Sequence, residues 1–427
     1  MKPAHPYVKT DFLMRSVGLI TEYNPFHNGH LHHLQESKRV SGADVTVAVM
    51  SGHFLQRGEP ALVDKWVRAE MALAAGVDLV VELPLPWACN SAPHFALGAV
   101  QALDALGVDG LCFGSEAGDL GVLNRCAGLL ERHGTVVAHR TEALLRQGIN
   151  YPEARQRVLS DLTDDDLCLG AIGSPNNILG IEYLRALSRT DSALSPFTIQ
   201  RIGAAYHDSE AAPGGVASAT GIRRMLAEKA DVVGYLPPSV APILQRAIET
   251  GQHLDVSHLH RLLATMILRD SDRLGELYQV EHGLEQRLVE AARTSVDYES
   301  LVDAVKSRHL TRTRVQRLLA YVLLGLRRDA MESFLGSGPL YLHLLGSSRC
   351  GRDFMAFQRK SRLLPLIGNY SRIYPTLKRR YGKNSRLYRL AEAMVHCEVK
   401  ATALYTLLLK EWTGADRNRD FFTTLIH

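Results

Sequence analysis

Cysteine is scarce and scattered: six residues, Cys89, Cys112, Cys126, Cys168, Cys350 and Cys397, stand in a chain of 427, and no two form a CxxC pair. That spacing excludes a disulfide framework and a zinc knuckle. The sequence has no apolar run of the roughly eighteen residues that a membrane helix needs, and its opening, MKPAHPYVKTDFLMRS, lacks the apolar core of a secretory signal. It also has no internal repeat and no low-complexity tract. A cytoplasmic enzyme that does not associate with membranes is the expectation. Hydrophobic residues at 46% and charged residues at 22% lie in the ordinary globular range, so disordered and fibrous classes are excluded as well. The chain exceeds the usual size of a single core, so two or three domains are expected.

Net charge is only +4, but it is unevenly distributed. From Leu301 to His427 there are 23 Lys and Arg against 9 Asp and Glu, a net +14, which leaves −10 for the preceding residues. A basic carboxy-terminal part on an acidic remainder suggests a surface for a polyanion; a solvated basic helical face is the plainer reading.

From Ser16 onward, short β-rich runs alternate with helical ones: SVGLITE, LHHLQESKRV, DVTVAVM, KWVRAEMALAAG, DLVVELP, ALGAVQALDALG and GLCFG. Strands alternating with helices predict an α/β fold with a doubly wound parallel sheet. Several helices follow over 120–190, then a strand FTIQRI and a helix starting near Ala219. Beyond Leu236 the periodicity is helical almost throughout. The predicted organisation is an extension or tag over 1–15, with Met14 as a candidate natural start, an α/β domain over 16–236, and a mainly α-helical basic domain over 237–427.

The first predicted strand runs directly into Glu22-Tyr23-Asn24-Pro25-Phe26-His27-Asn28-Gly29-His30 and then a helix. In a doubly wound sheet this junction lies at the carboxyl ends of the strands, where the free amides and positive dipole end of the helix favour a phosphate. His27 and His30 can donate hydrogen bonds to phosphate oxygens as charge builds on them, and Gly29 lets backbone come close. Metal binding by His27, His30, His32 and His33 is the rival reading, but cysteine and carboxylate companions are missing nearby. Ser218-Ala219-Thr220-Gly221-Ile222-Arg223 stands at a later helix start, which by itself reads as an ordinary N-cap followed by a solvated Arg. There the hydroxyls of Ser218 and Thr220 and the helix amides can hold phosphates while Arg223 neutralises them.

A His-x-Gly-His sequence at the first strand-helix junction, followed late in the domain by such a Ser-x-Thr-x-Ile-Arg motif, resembles the HxGH nucleotidyltransferase superfamily, whose domain is Rossmann-like. The runs GLITEYNPFHNGHLHHL, AVMSGHFLQRGEPALVDKW, FGSE, PNNILG and SATGIR narrow the resemblance to the bacterial tRNA(Met) cytidine acetate ligase family. The likeness covers Ser16 to the end, is strong to about Ala227, and loosens through the helical part. It implies a two-step reaction in which acetate and ATP form acetyl-adenylate and pyrophosphate, and the acetyl group then passes to N4 of the wobble cytidine of elongator tRNA(Met). It also implies an ATP site at Ile20, Thr21, Glu22, Tyr23, Asn24, Pro25, Phe26, His27, Asn28, Gly29, His30, Leu31, His32 and His33, with Gly114, Asn176 and Arg201. Magnesium is expected only as the partner of the ATP phosphates.

Acetate has to approach a polyanion, which calls for local positive charge. Lys65 and Arg68, one helical turn apart, and Arg57 in the preceding loop are the candidates, with a solvated helix start as the plainer reading; Lys65 joins His27 and His30 as a candidate catalytic residue. For RNA, the basic residues Arg359, Lys360, Arg372, Lys378, Arg379, Arg380 and Lys383 are interleaved with Tyr370, Tyr374 and Tyr381, a spacing suited to neutralising phosphates and stacking bases. Further Arg residues stand at 308, 312, 314 and 317. Two other functions compete: transfer of AMP to a phosphorylated metabolite, which needs neither this length nor a basic appendage, and a non-catalytic tRNA-binding protein, which would not need both phosphate motifs intact.

Overall fold

A computed structural model describes residues 14–149, 151–201, 215–308, 310–423 and 425–426. The expected extension falls outside these except for its last two positions. Five apolar runs form β1 (Ser16–Thr21), β2 (Val45–Ser51), β3 (Leu79–Leu83), β4 (Gly110–Ser115) and β5 (Ser195–Gln200), all mutually parallel. Two more strands come from the carboxy-terminal part, β6 (Leu342–Ser347) and β7 (Leu366–Ile367), giving the sheet order β5-β4-β1-β2-β3-β6-β7. The chain steps outward from β1 through β2 to β3, then returns to place β4 and β5 on the other side. The crevice between β1 and β4 is therefore the topological switch point.

The parallel strands are buried on both faces because residues alternate between two cores. Val45, Val47, Val49, Leu79, Val81, Leu111 and Phe113 point into one core. Val17, Leu19, Ala48, Met50, Val80 and Cys112 point into the other. Helices α1 (Asn28–Ser41) and α2 (Lys65–Ala74) cover the second core, and α3 (Ala92–Leu106), α4 (Leu120–Arg146) and α5 (Pro175–Thr190) cover the first.

Beyond the sheet's parallel half, the helices that bear on function are α6 (Ala219–Ala227), α7 (Arg312–Leu324), α8 (Arg349–Phe357), α9 (Ile373–Tyr381) and α10 (Arg386–Thr406). The region after residue 236 is mainly helical as expected, but it also contributes strands, which its helical periodicity did not suggest. β6 is buried at every position and pairs antiparallel with β3, covering an edge that would otherwise be left open. Deep contacts join the two parts: Tyr321 donates its hydroxyl to Cys89 O at 2.9 Å and Tyr405 to Ala61 O at 2.9 Å. Among the described residues, no helix is long and apolar enough to cross a membrane.

Candidate functional site

After β1 the backbone turns sharply, with Tyr23 at a positive φ of 48° and the Asn24–Pro25 bond cis, and His27 then caps α1. The His27 Nδ1 accepts the Gly29 N–H at 3.0 Å, and the His30 Nδ1 accepts the His27 N–H at 3.3 Å. Two histidines thus form a reciprocal capping box with their rings stacked, centroids 3.7 Å apart. Because each Nδ1 is an acceptor, the ring proton sits on Nε2. The pair therefore presents two Nε2–H donors at the amino end of α1, whose Gly29, His30 and Leu31 amides are already bonded to His27. Position 29 must be glycine here, since a Cβ would lie 2.9 Å from the His27 ring.

Burial, reinforced by the Arg201 guanidinium, pulls His27 down to about 3 and His33 to about 4. Burial together with the neighbouring His27 and Arg201 holds His30 well below the usual imidazole range. Such shifts leave these rings neutral at physiological pH, so His27 and His30 can donate from Nε2 without adding charge.

The other ATP candidates flank this turn. Gly114, next to last in β4, lies beside Arg201, which follows β5; a Cβ on Gly114 would come within 3.2 Å of the Arg201 Cγ. Asn176 opens α5 with its Nδ2 donating to Glu116 Oε1 at 2.7 Å, while the Asn177 N–H donates to Glu116 Oε2 at 2.8 Å. The Glu116 carboxylate thus occupies the positive end of α5. Ser218 caps α6 by accepting the Gly221 N–H at 3.0 Å. Arg223 reaches back to the first motif, donating to Asn24 O at 2.9 Å and to Glu59 Oε2 at 3.2 Å, with Thr220 Oγ1 at 3.4 Å. Asn28 fixes the same junction by donating to Gly215 O and Gly234 O at 3.0 and 3.1 Å. Both candidate phosphate motifs therefore meet at the carboxyl end of β1. Ile20, Thr21, Glu22, Pro25, Phe26, Leu31 and His32 belong to this strand, turn and helix start.

The three acetate candidates separate. Lys65 is only 1% exposed, and its ammonium lies 2.8 Å from Glu82 Oε2 and 2.7 Å from Asp420 Oδ1, with His343 Nδ1 2.7 Å from Glu82 Oε2. Burial alone would lower its affinity for a proton, but the two carboxylates outweigh this and raise it. Glu82, His343 and Asp420 surround that ammonium with a donor set otherwise suited to a metal ion. Arg68, fully buried, donates to Val63 O at 3.2 Å, Glu22 O at 2.8 Å and Ser51 O at 2.9 Å, and also to Gly52 O. It ties the carboxyl ends of β1 and β2 together. Neither cation stands open at a solvated helix start, because α2 begins beneath the loop and the carboxy-terminal segment. Arg57 lies in the loop tip, where its charge acts on Glu22 and opposes the upward push that burial gives that carboxyl.

Glu59 in this loop was not singled out from the sequence. It holds Arg223 through one oxygen and accepts Gln316 Nε2 through the other at 2.9 Å, linking the second phosphate motif to α7. Its surroundings come from three distant segments, so no local pattern reveals it.

The RNA candidates Arg359, Lys360, Arg372, Lys378, Arg379, Arg380 and Lys383 are all exposed. Arg380 donates to Leu363 O at 3.0 Å, which joins α9 to the segment after α8. That segment docks on the carboxyl end of α3, with the Leu363 N–H on Ala105 O and Gln358 Nε2 on Gly107 O. Arg359 and Lys360 therefore lie toward the amino ends of the parallel strands, away from the His27 turn. The interleaved tyrosines depart from the stacking expectation: Tyr370 is a core residue, and Tyr381 is held by donating to Leu340 O at 2.5 Å.

With this geometry established, the chain was compared with known proteins. A family model described as HIGH Nucleotidyl Transferase matches residues 14–420. The chain is 59% identical over 409 residues to a tRNA(Met) cytidine acetate ligase of Syntrophotalea carbinolica, covering 96% of this chain and 98% of that protein. It is 39% identical to the protein of the same name in Alkaliphilus metalliredigens, with 96% and 98% covered. Among solved structures, Thermotoga maritima TmcAL in its apo form superposes with a TM-score of 0.88 at 33% identity, covering 97% of this chain and 99% of that one. The same protein bound with alpha-thio ATP gives 0.85 at 32% identity, with the same coverage.

Proposed function

The chain belongs to the HIGH nucleotidyltransferase family and, within it, to the tRNA(Met) cytidine acetate ligases, and from that membership we propose that it activates acetate with ATP and acetylates N4 of the wobble cytidine of elongator tRNA(Met). The observation that carries the reading is the stacked, neutral His27–His30 pair, which offers two Nε2–H donors at the amino end of α1.

In the first step an acetate oxygen forms a bond to the α-phosphorus of ATP. The bond from that phosphorus to the bridging oxygen breaks, and pyrophosphate leaves with the electron pair. Charge accumulates on non-bridging and leaving oxygens, where pre-oriented donors stabilise it more than they stabilise ground-state ATP. His27 and His30, with the positive end of the α1 dipole, serve the α-phosphate, Arg201 and Asn176 the nucleotide flank, and Ser218, Thr220 and Arg223 the departing phosphates. Neutral imidazoles suit this role because they need not exchange a proton as the reaction proceeds. Magnesium would be held by the ATP phosphates, since the described residues form no cluster of three metal-ligating groups at the turn.

In the second step the exocyclic amine of cytidine attacks the carbonyl carbon of acetyl-adenylate, AMP departs with the carbonyl–oxygen bond's electrons, and the nitrogen loses a proton. The amine's lone pair is delocalised into the ring, which is why an anhydride is required and free acetate does not suffice. Arg359, Lys360, Arg372, Lys378, Arg379, Arg380 and Lys383 are the proposed phosphate contacts for tRNA. Arg57 is the proposed acetate-side charge at the loop tip, while Lys65 and Arg68 act by fixing the loop and strand ends around it. The first step is tested by exchange of labelled pyrophosphate into ATP without tRNA. Exchange that requires acetate supports the reading; exchange that ignores acetate and responds to a phosphorylated metabolite would overturn it.

A further inference from the structure

Helix α7 belongs to the carboxy-terminal part, yet its first turns are seated on the loop that follows β2. The loop makes a tight return, with Phe54 bridging Pro60 and the Gly58 N–H on Leu55 O. Gly58 has a φ of +89°, and a Cβ there would lie 2.2 Å from the backbone nitrogen of Arg317. The contact is backbone against backbone, so the position of α7 over the loop tip is fixed closely.

From that seat Arg317 extends along the tip. Its Nη1 makes one long bond, 3.5 Å, to Gln56 O, and its Nε is shielded from solvent with no hydrogen-bond partner. The other arginines of the helix start are committed: Arg312 pairs with Glu299 at 2.7 Å and Arg314 pairs with Glu281. A guanidinium carries five donors, and among the described residues Arg317 is engaged only through the long Nη1 bond, so this partly exposed group keeps donors for an acceptor outside the chain.

Its surroundings indicate which acceptor. The Gln56 N–H donates to Glu22 Oε1 at 2.7 Å, so the Arg317 contact is one residue removed from the turn that leads to His27. Charge from both Arg317 and Glu22 reaches Cys89, whose carbonyl oxygen is held by Tyr321 on α7. The nucleotide-flank residues Gly114, Asn176 and Arg201 lie on the β4–β5 side of β1, whereas Arg317, Gln56 and Arg57 lie over the β2 side. A co-substrate attacking the α-phosphorus has to enter from the side that the nucleotide leaves free.

Resting on the acetate-activation reading above, we propose that Arg317 binds the carboxylate of the acyl substrate, holding one oxygen by a charged hydrogen bond so that the other faces the α-phosphorus. The planar guanidinium matches a carboxylate in shape and charge. The small-carboxylate site is thereby shared between the loop after β2 and a helix of the carboxy-terminal part, and neither completes it alone.

The test is acetate-dependent pyrophosphate exchange without tRNA, comparing wild type with Arg317→Ala and Arg317→Lys. The expected result for Arg317→Ala is a rise of at least roughly tenfold in the KM for acetate, with the KM for ATP within about twofold of wild type and a smaller rise for Arg317→Lys. The unchanged ATP constant serves as the check on folding. An unaltered acetate KM, a parallel rise in both constants, or a defect seen only when tRNA is the acceptor would overturn the assignment, the last by making Arg317 an RNA contact. Wild-type protein that shows no acetate-dependent exchange would overturn the functional reading itself, and the proposal with it.

Discussion

His27 and His30 show how a common residue type acquires a specific state from its neighbours. Each Nδ1 is consumed by a backbone N–H of the same turn, so the donor tautomer is dictated by local geometry. Burial and Arg201 then keep the rings neutral. This has a sign in the stability. A ring whose folded pKa lies below its free value of about 6.5 is protonated first in the unfolded chain as pH falls. Above about pH 7 these rings contribute no pH dependence. Below that, each of His27, His30 and His33 withdraws up to about 1.4 kcal/mol per pH unit, until its folded pKa is reached. Urea unfolding between pH 7.5 and 5 should show this decline, and His27→Asn should flatten its slope by close to one proton. An identical slope in the variant would mean that His27 is not held neutral. Lys65 teaches the converse lesson. At one turn from Arg68 it reads as half of a solvated cationic pair, because nothing local announces that Glu82, His343 and Asp420 converge on it. Lys65→Met leaves two buried carboxylates uncompensated and should cost about 3–5 kcal/mol in denaturant unfolding. A loss below about 1 kcal/mol would contradict the buried network.

At the scale of elements, the loop from Gly52 to Asp64 is where the phosphate motifs and α7 meet. Glu59 holds Arg223 in the place where the reading above puts phosphate oxygens, so nucleotide and carboxylate compete for one guanidinium. Glu59→Gln should therefore lower the KM for ATP in the exchange reaction by roughly threefold, about what a partly exposed ion pair is worth. A raised KM would show instead that Glu59 supports Arg223 during nucleotide binding. The five parallel strands and the His-x-Gly-His turn were legible because each is a local signal: an apolar run bounded by turns, or a motif at a strand-helix junction. β6 was not legible. Its sequence, LHLLGS, carries no alternation, since both its faces are buried, and its partner β3 is remote in the chain. Nor could spacing reveal that Tyr370 faces inward while the basic residues around it face solvent.

For the whole molecule, the consequence is that the acidic and basic portions are not independent bodies. A boundary at 236/237 follows the onset of helical periodicity, but β6 completes the sheet edge at β3 and Asp420 completes the charge around Lys65. A fragment spanning 14–236 would expose the β3 edge and leave the Lys65–Glu82 pair without Asp420 and His343. It should be insoluble or lack a cooperative unfolding transition by circular dichroism; a soluble, cooperatively folding fragment would contradict this view. The same interdependence gives the protein its function as proposed, because the nucleotide turn, the acyl-substrate side and the basic surface have to cooperate on one RNA. The most direct measurement is transfer of label from acetate, in the presence of ATP, to elongator tRNA(Met) and to a variant carrying uridine in place of the wobble cytidine. The account requires label in the cytidine-bearing tRNA alone, lost when His30 is replaced by Ala. Label in both tRNAs, in neither, or undiminished in the His30 variant would contradict it.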